Sequence, residues 1–402
     1  MKQKKNNYNK TNALTCVTPS YKYSHELKLC LSMFQKKLPQ GTTLKLVESQ
    51  RDNINTELRA AIISTINTIS VSEFMLIAKE PALLIGEGAL EELVKILQSN
   101  PKLDCVLPSD IYGHSACQDL AYFTWNGFQK FVANLKNLEG QFIPYDDRTP
   151  FIFLVRVSAL MKIDIPLDPM DIPKILRDKT AIALKAYVHP FFNYFEESRE
   201  DIIELIPHGL NSFLDIGCAR GHFGALLKSN FSECHVVGIE MNPYEAAEAQ
   251  KRLDRVLVGD ALTLMLEEKF DCVTCLDMIE HVADPEMLLT KIYNDFLLNK
   301  GYLILSIPNI GHWSVVEDLL AGRWDYIPAG LLCTTHLRFF TLPSIRNLLE
   351  NNNFNILHIH AIKANMSESF KLGIESLKNL SIEIDETSLN TISYYILAQK
   401  KG

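Results

Sequence analysis

Ser212 to Leu227 reads SFLDIGCARGHFGALL, and its order is an acid, a bare turn and a fresh helix. Leu214 and Ile216 are strand-like, Gly217, Ala219 and Gly221 fall at alternate positions, and HFGALLKS has helical character. Small residues let a ligand approach the backbone closely, and free N–H groups at a helix start favour an anionic group such as a carboxylate or phosphate. The dinucleotide fingerprint requires a third glycine where His222 stands, and no Gly-Lys-Ser or Gly-Lys-Thr closes a P-loop. Something other than a nucleotide phosphate is favoured.

Further along, HVVGIEMNP ends a strand at Glu240, placed to accept from the two hydroxyls of a ribose. After the following strand, VLVGDA offers Asp260 to an adenine amino group. This order of acid, small-residue turn, ribose acid and adenine acid resembles that of class I S-adenosylmethionine-dependent methyltransferases. The resemblance implies S-adenosyl-L-methionine as cofactor, with Asp215, Gly217, Ala219 and Gly221 as its first motif and Glu240, Met241, Asp260 and Ala261 around the nucleoside. Ala219 departs from the glycine usual there, and its methyl is tolerable if the backbone is not left-handed.

CLDMIEHVADPEMLL resembles the family's stretch in which Asp277 flanks the cofactor while Glu280 and His281 face the reacting centre. Transfer from a sulfonium is a direct displacement, so the protein aligns the partners and removes a proton from a hydroxyl acceptor; His281 is the first candidate base. Glu280 and His281 could instead cap or pair at a helix start. Downstream, SIPNIGHWSVVEDLLAGRWDYIPAGLLCTTHLRFFTLPSIRNLLE resembles a bacterial methyltransferase subgroup often found with surface-polysaccharide genes. That resemblance covers about Val188 to Lys363 and implies that His312, Trp313, His336 and Arg338 line the acceptor pocket, with His281, His312 and His336 the catalytic candidates. A lead-in helix over the cofactor would carry Tyr194 and Arg199. His336 and Arg338 could equally tie down a loop, and Trp313, Phe339 and Phe340 fit a core.

Working outward, the 402 residues suggest two α/β blocks. Three prolines in PLDPMDIPKIL place the boundary near Leu167 to Lys179. The expected organisation is a flexible 1–12, a smaller α/β domain over 13–170, a linker and lid helix over 171–205, and a doubly wound, Rossmann-like methyltransferase sheet over 206–402. Its strands are expected at Phe213 to Ile216, His235 to Glu240, Arg255 to Val258, Asp271 to Leu276 and Tyr302 to Ile307.

In the first block, LTCVTPSYKYSHELKLCLSMF, LKLVES and GALEELVKILQSNPKLDCVLPSD resemble, in order, the nucleotide-sugar half of GT-A type glycosyltransferases. Such enzymes carry an Asp-x-Asp for a divalent metal, where this chain has Ala78, Lys79, Glu80 and Pro81. The block is therefore expected to be degenerate, and no metal site is expected in the chain.

Lys and Arg number 40 against 48 Asp and Glu, a formal charge of −8 that offers no cationic field to nucleic acid. No apolar run suits a signal peptide or membrane span. The nine cysteines lack framework spacing, which fits reduced thiols and a cytoplasmic protein. Cys272 and Cys275 form a C-x-x-C inside a strand, where they point to opposite faces and pack a core.

The expected function is O-methylation of a sugar hydroxyl on a cell-surface glycan or its precursor. A bifunctional glycosyltransferase/methyltransferase, a methyltransferase of a non-sugar small molecule and a non-catalytic cofactor-binding partner are the alternatives.

Overall fold

The structure, a computed structural model, describes residues 13–20, 43–48, 54–68, 72–79, 83–110, 123–190, 199–231, 233–327 and 330–402. The chain divides into two compact units, one of residues 1–122 and 127–192, the other of residues 123–126 and 193–402.

The first unit is built on β1 (Ala13–Ser20), β2 (Thr43–Glu48), β3 (Ser72–Ala78), β4 (Leu83–Ile85), β5 (Cys105–Ser109), β6 (Phe142–Pro144), β7 (Ile152–Arg156) and β8 (Thr180–Pro190). The sheet order is β2-β1-β3-β7-β5-β8-β4, with β6 on β8 and β7 antiparallel to both its neighbours. Side chains alternate between two cores: Phe74, Leu76 and Ala78 face one, Met75 and Ile77 the other, as a strand period of two dictates. The helices α1 (Ile54–Thr68) and α2 (Ala89–Ser99) pack on opposite faces through Leu58 and Ile62, and through Leu90, Leu93 and Leu97. The end of α2 is legible in Asn100, whose side chain donates to the Ile96 carbonyl at 2.8 Å, followed by Pro101. The expected helix within HELKLCLSMFQKKL, the 1–12 tail and the Glu80–Pro81 pair lie outside the described residues.

The boundary differs from the expected 167–179. Met170 and Ile172 sit in the first unit's core, and Thr180–Pro190 pairs in parallel with β5, so the proline-rich segment is a turn within that unit. Within the expected linker and lid helix, the described part after β8 is a 3-10 turn at Glu200–Leu205. Tyr194 lies outside the described residues.

The second unit carries β9 (Ser212–Ile216), β10 (His235–Glu240), β11 (Arg255–Val258), β12 (Phe270–Leu276), β13 (Leu297–Pro308), β14 (Phe354–Lys363) and β15 (Thr391–Lys400). Their order is β11-β10-β9-β12-β13-β15-β14; the first five are parallel, and β15 is antiparallel to β13 and β14. This is the expected α/β, Rossmann-like sheet. Phe213, Val236, Cys272 and Ile304 face one core with α3 (His222–Asn230) and α4 (Pro243–Ala249); Leu214, Val237, Val273 and Leu303 face another with α5 (Pro285–Lys291). Both faces are covered, which is why these strands read as near-continuous apolar runs. Each fully buried Leu, Ile or Phe contributes roughly 1.5–3 kcal/mol. Cys272 and Cys275 fall in opposite cores, and all seven described cysteines are free and buried.

From β9 the chain builds outward through β10 and β11, then returns to place β12 on the other side of β9. The carboxyl ends of β9 and β12 therefore form the switch point at which doubly wound sheets bind ligands. No helix among the described residues is long and apolar enough to cross a membrane.

Candidate functional site

At the end of β9, Gly217 and Gly221 both hold positive φ, 78° and 77°. A Cβ on Gly217 would stand 2.9 Å from Met278 Cγ, and one on Gly221 3.1 Å from Ala249 Cα, so backbone and space both demand glycine. Ala219 also lies in the left-handed region, with φ 46°. The condition for an unstrained methyl is thus not met; the turn carries a conformation that costs an L-residue roughly 1–2 kcal/mol.

Four N–H groups of the turn that precedes the helix are engaged within the protein. Gly217 and Cys218 both donate to the Ile239 carbonyl, Gly221 donates to the Cys218 carbonyl, and Ala219 donates to Glu240 Oε2 at 3.0 Å. Glu240 Oε1 accepts from the Asn242 N–H at 2.8 Å. The carboxylate the turn holds is thus the protein's own, and Glu240 is pinned at the tip of β10 between two backbone donors.

Asp215 is buried in β9 and accepts from Thr274 Oγ1 at 2.7 Å. Burial pushes its carboxyl up to about 6, against the Thr274 hydrogen bond and with help from the charge of Glu240. Burial likewise raises Glu240. Among the described residues no basic side chain pairs with either carboxylate, so this pocket end is short of positive charge. Asp260 folds its tip into a turn, Oδ1 accepting from the Leu262 N–H at 2.9 Å; Ala261 is buried and Met241 lies exposed at the rim.

Asp277 follows β12, itself left-handed with φ 47°. Its carboxylate accepts from Arg199 and from Ser306 Oγ, and Arg199 also donates to Ser306 Oγ at 2.9 Å and stacks over Tyr395, 5.1 Å from the ring centroid. Arg199, expected on a lid, is thus tied to the ends of β12 and β13.

Glu280 and His281 occupy a 3-10 turn, Ile279–His281. The Glu280 carbonyl accepts from the N–H groups of Leu337 (2.8 Å) and Arg338 (3.0 Å), stitching the 331–338 segment to this turn. The Arg338 guanidinium completes the seam on the carbonyls of Ala283 and Leu337. His336 is thereby brought to His281, ring centroids 4.8 Å apart and edge to face, with Nε2 3.9 Å from Glu280 Oε1. His281 Nδ1 lies 3.1 Å from the Thr335 carbonyl and His336 Nδ1 3.1 Å from that of Leu331. A carbonyl only accepts, so both rings carry the proton on Nδ1 and present a lone pair at Nε2. Burial lowers both imidazoles, His336 to about 4.

His312, the third catalytic candidate, stands apart from this group. It caps α6 (Trp313–Leu320): fully buried, its Nδ1 lies 2.9 Å from Ser314 Oγ. Trp313 and Phe340 are buried in cores, the outcome that composition favoured. Sequence reasoning missed Trp324 and Tyr326. Both are partly exposed, with Trp324 5.2 Å and Tyr326 6.5 Å from the Phe339 ring, and Phe339 lies 6.2 Å from His336. The signal available was two aromatics in a polar, proline-terminated loop, RWDYIP.

Residues 181–359 match the family described as Methyltransferase domain. A (S)-coclaurine N-methyltransferase of Papaver somniferum is 29% identical over 134 residues, 30% of this chain and 37% of that protein. A ubiquinone biosynthesis O-methyltransferase of Pseudomonas entomophila is 34% identical over 88 residues, 20% of this chain and 37% of that protein. The chain thus spans little more than a third of the length of these curated relatives. A crystal structure of a SAM dependent methyltransferase from Archaeoglobus fulgidus is similar over 52% of this chain and 97% of its own, with 22% identity and a TM-score of 0.37. The match over residues 181–359 is to a methyltransferase domain, and S-adenosylmethionine is the cofactor that this similarity implies.

Proposed function

We propose that the second unit transfers the methyl group of S-adenosylmethionine to a hydroxyl of a ring-bearing acceptor, a sugar of a glycan or its precursor. The observation that carries this reading is the convergence of Glu280, His281 and His336, with Phe339, Trp324 and Tyr326 beside them. In this reading Asp215, Gly217, Ala219 and Gly221 hold the amino-acid end of the cofactor, Glu240 and Met241 its ribose, Asp260 and Ala261 its adenine, and Asp277 its flank. The carboxylates of buried Asp215 and half-buried Glu240 suit a ligand that brings an ammonium and a sulfonium. The histidine cluster is where the acceptor loses its proton, and the aromatic rings give it a stacking surface.

A second reading, a non-sugar small molecule such as a phenol as acceptor, is supported by the ubiquinone biosynthesis O-methyltransferases among the relatives, whose name gives O-methyl transfer and no sugar. For the first unit we propose no sugar transfer, because Lys79 follows β3 where a metal-binding carboxylate would stand. A cytoplasmic location belongs to the same proposal, supported by the free, buried cysteines. The test is incubation with methyl-labelled S-adenosylmethionine, nucleotide sugars, glycans and phenols, with mass spectrometry of the product. A methylated sugar supports the first reading and a methylated phenol the second; cofactor binding with no transfer to any acceptor overturns both.

A further inference from the structure

Glu280 is 1% exposed, and among the described residues neither Oε1 nor Oε2 has a hydrogen-bond partner. A carboxyl buried without partners is costly, and the 3.9 Å separation from His336 Nε2 is too long for a hydrogen bond. One donor atom from each of Glu280, His281 and His336 lies within 4.8 Å of those from the other two. Both imidazoles give their Nδ1–H to backbone carbonyls, the arrangement that fixes ring and tautomer in metal-ligating histidines. Two neutral imidazoles and one carboxylate converging from one side, with the remaining directions left to other ligands, is a donor set for first-row divalent ions.

We propose that Glu280, His281 and His336 form a binding site for one first-row divalent transition cation. Metal–ligand bonds of about 2.0–2.2 Å place donor atoms roughly 3–3.5 Å apart, so the group contracts by up to about 1–2 Å through side-chain rotation while its backbone anchors stay in place. The ion converts the orphaned carboxyl into an ionised, satisfied ligand. No sequence spacing announces such a site, because His336 reaches the turn only through the Leu337 and Arg338 hydrogen bonds to the Glu280 carbonyl.

Its consequence for catalysis rests on the O-methylation reading. With a cation bound, His281 and His336 would serve as its ligands rather than as bases, and the ion would supply Lewis-acid activation of the acceptor hydroxyl, whose proton would pass to solvent. The oxygen lone pair then forms the O–CH3 bond while the S–CH3 pair leaves with sulfur, turning sulfonium into thioether.

The test is titration of the chelator-treated full chain with Mn2+, followed by calorimetry and electron paramagnetic resonance, beside titration with S-adenosylhomocysteine. Expected is one Mn2+ per chain, weakened at least about 100-fold by Glu280→Gln and by His336→Asn, no less than the loss of an outer-shell partner costs. His358→Ala, an exposed histidine of β14, leaves it unchanged. Unchanged S-adenosylhomocysteine affinity in the variants shows that they fold. A chain that binds S-adenosylhomocysteine but neither Mn2+ nor Zn2+, or that binds Mn2+ equally well in Glu280→Gln, overturns the metal site and leaves methyl transfer standing. Metal binding without S-adenosylhomocysteine binding supports the site and overturns the function.

Discussion

Ala219 donates its N–H to Glu240 Oε2 while holding a left-handed φ of 46°. The hydrogen bond and the strain are coupled: the turn that aims this N–H at the strand tip is one that an L-residue adopts at a cost. Ala219→Gly relieves that cost, so unfolding by urea should show a gain of up to about 1 kcal/mol, offset in part by the freer unfolded chain, with cofactor binding retained. Ala219→Val should lose more than about 2 kcal/mol, because a β-branched side chain at positive φ is a steric outlier. A valine variant as stable as the parent would contradict the left-handed turn.

Glu240 spends each oxygen on one backbone donor, which positions the carboxylate without exhausting its accepting capacity. Glu240→Gln keeps the shape but turns one acceptor into a donor facing an N–H. Calorimetry should find S-adenosylhomocysteine binding weakened about 10- to 100-fold, the size of a lost hydrogen bond to a charged group.

Asp215 sets a pH dependence. Its carboxyl is raised to about 6 in the folded chain, so between about pH 4 and 6 the folded state binds more protons than the unfolded one. Ligand-free stability should therefore fall as pH rises through that window, by about 3 kcal/mol, and Asp215→Asn should remove the slope. A cationic ligand prefers the ionised form, so S-adenosylmethionine affinity should drop as pH falls below 6, up to tenfold per pH unit. Thermal unfolding without ligand and calorimetry from pH 4.5 to 7.5 check both signs.

How much was legible in the sequence follows from how local each signal is. The five parallel strands of the second sheet read clearly because they send apolar residues into both cores, and Glu240, Asp260 and Asp277 stand at or just beyond strand ends; β14 and β15 were not expected. The pairing of Thr180–Pro190 with Cys105–Ser109 was not legible, since prolines nearby read as a boundary while Met170 and Ile172 are core residues. The approach of His336 to Glu280 depends on two backbone hydrogen bonds between segments more than fifty residues apart, which leave no periodicity. The strain at Ala219 is a property of φ alone, and composition does not encode it.

His312 and His336 looked alike in sequence and differ in the structure. His312 caps a helix, is fully buried and is lowered by burial to about 4. A neutral buried histidine stabilises the fold above its unfolded value near 6.5, and that contribution is lost as pH falls toward 4. His312→Ala should destabilise by at least about 1 kcal/mol through the lost cap while sparing turnover per folded molecule. His336→Ala should do the reverse, lowering kcat at least tenfold with cofactor affinity intact. Denaturant melts and single-turnover rates on the two variants separate a cap from a reacting group.

Trp324 and Tyr326 present partly exposed rings against Phe339, itself beside His336. Such exposure carries little folding energy, so Trp324→Ala and Tyr326→Ala should each shift stability by no more than about 0.5–1 kcal/mol. If the rings stack on the acceptor, they hold ground state and transition state alike. Their loss should then raise the acceptor KM about tenfold with kcat nearly unchanged, the signature of uniform binding. Trp324→Phe, which keeps a ring face, should recover most of the loss. An equal fall in kcat for both alanine variants, with KM unmoved, would instead place these aromatics in the support of the 331–338 segment, away from the acceptor.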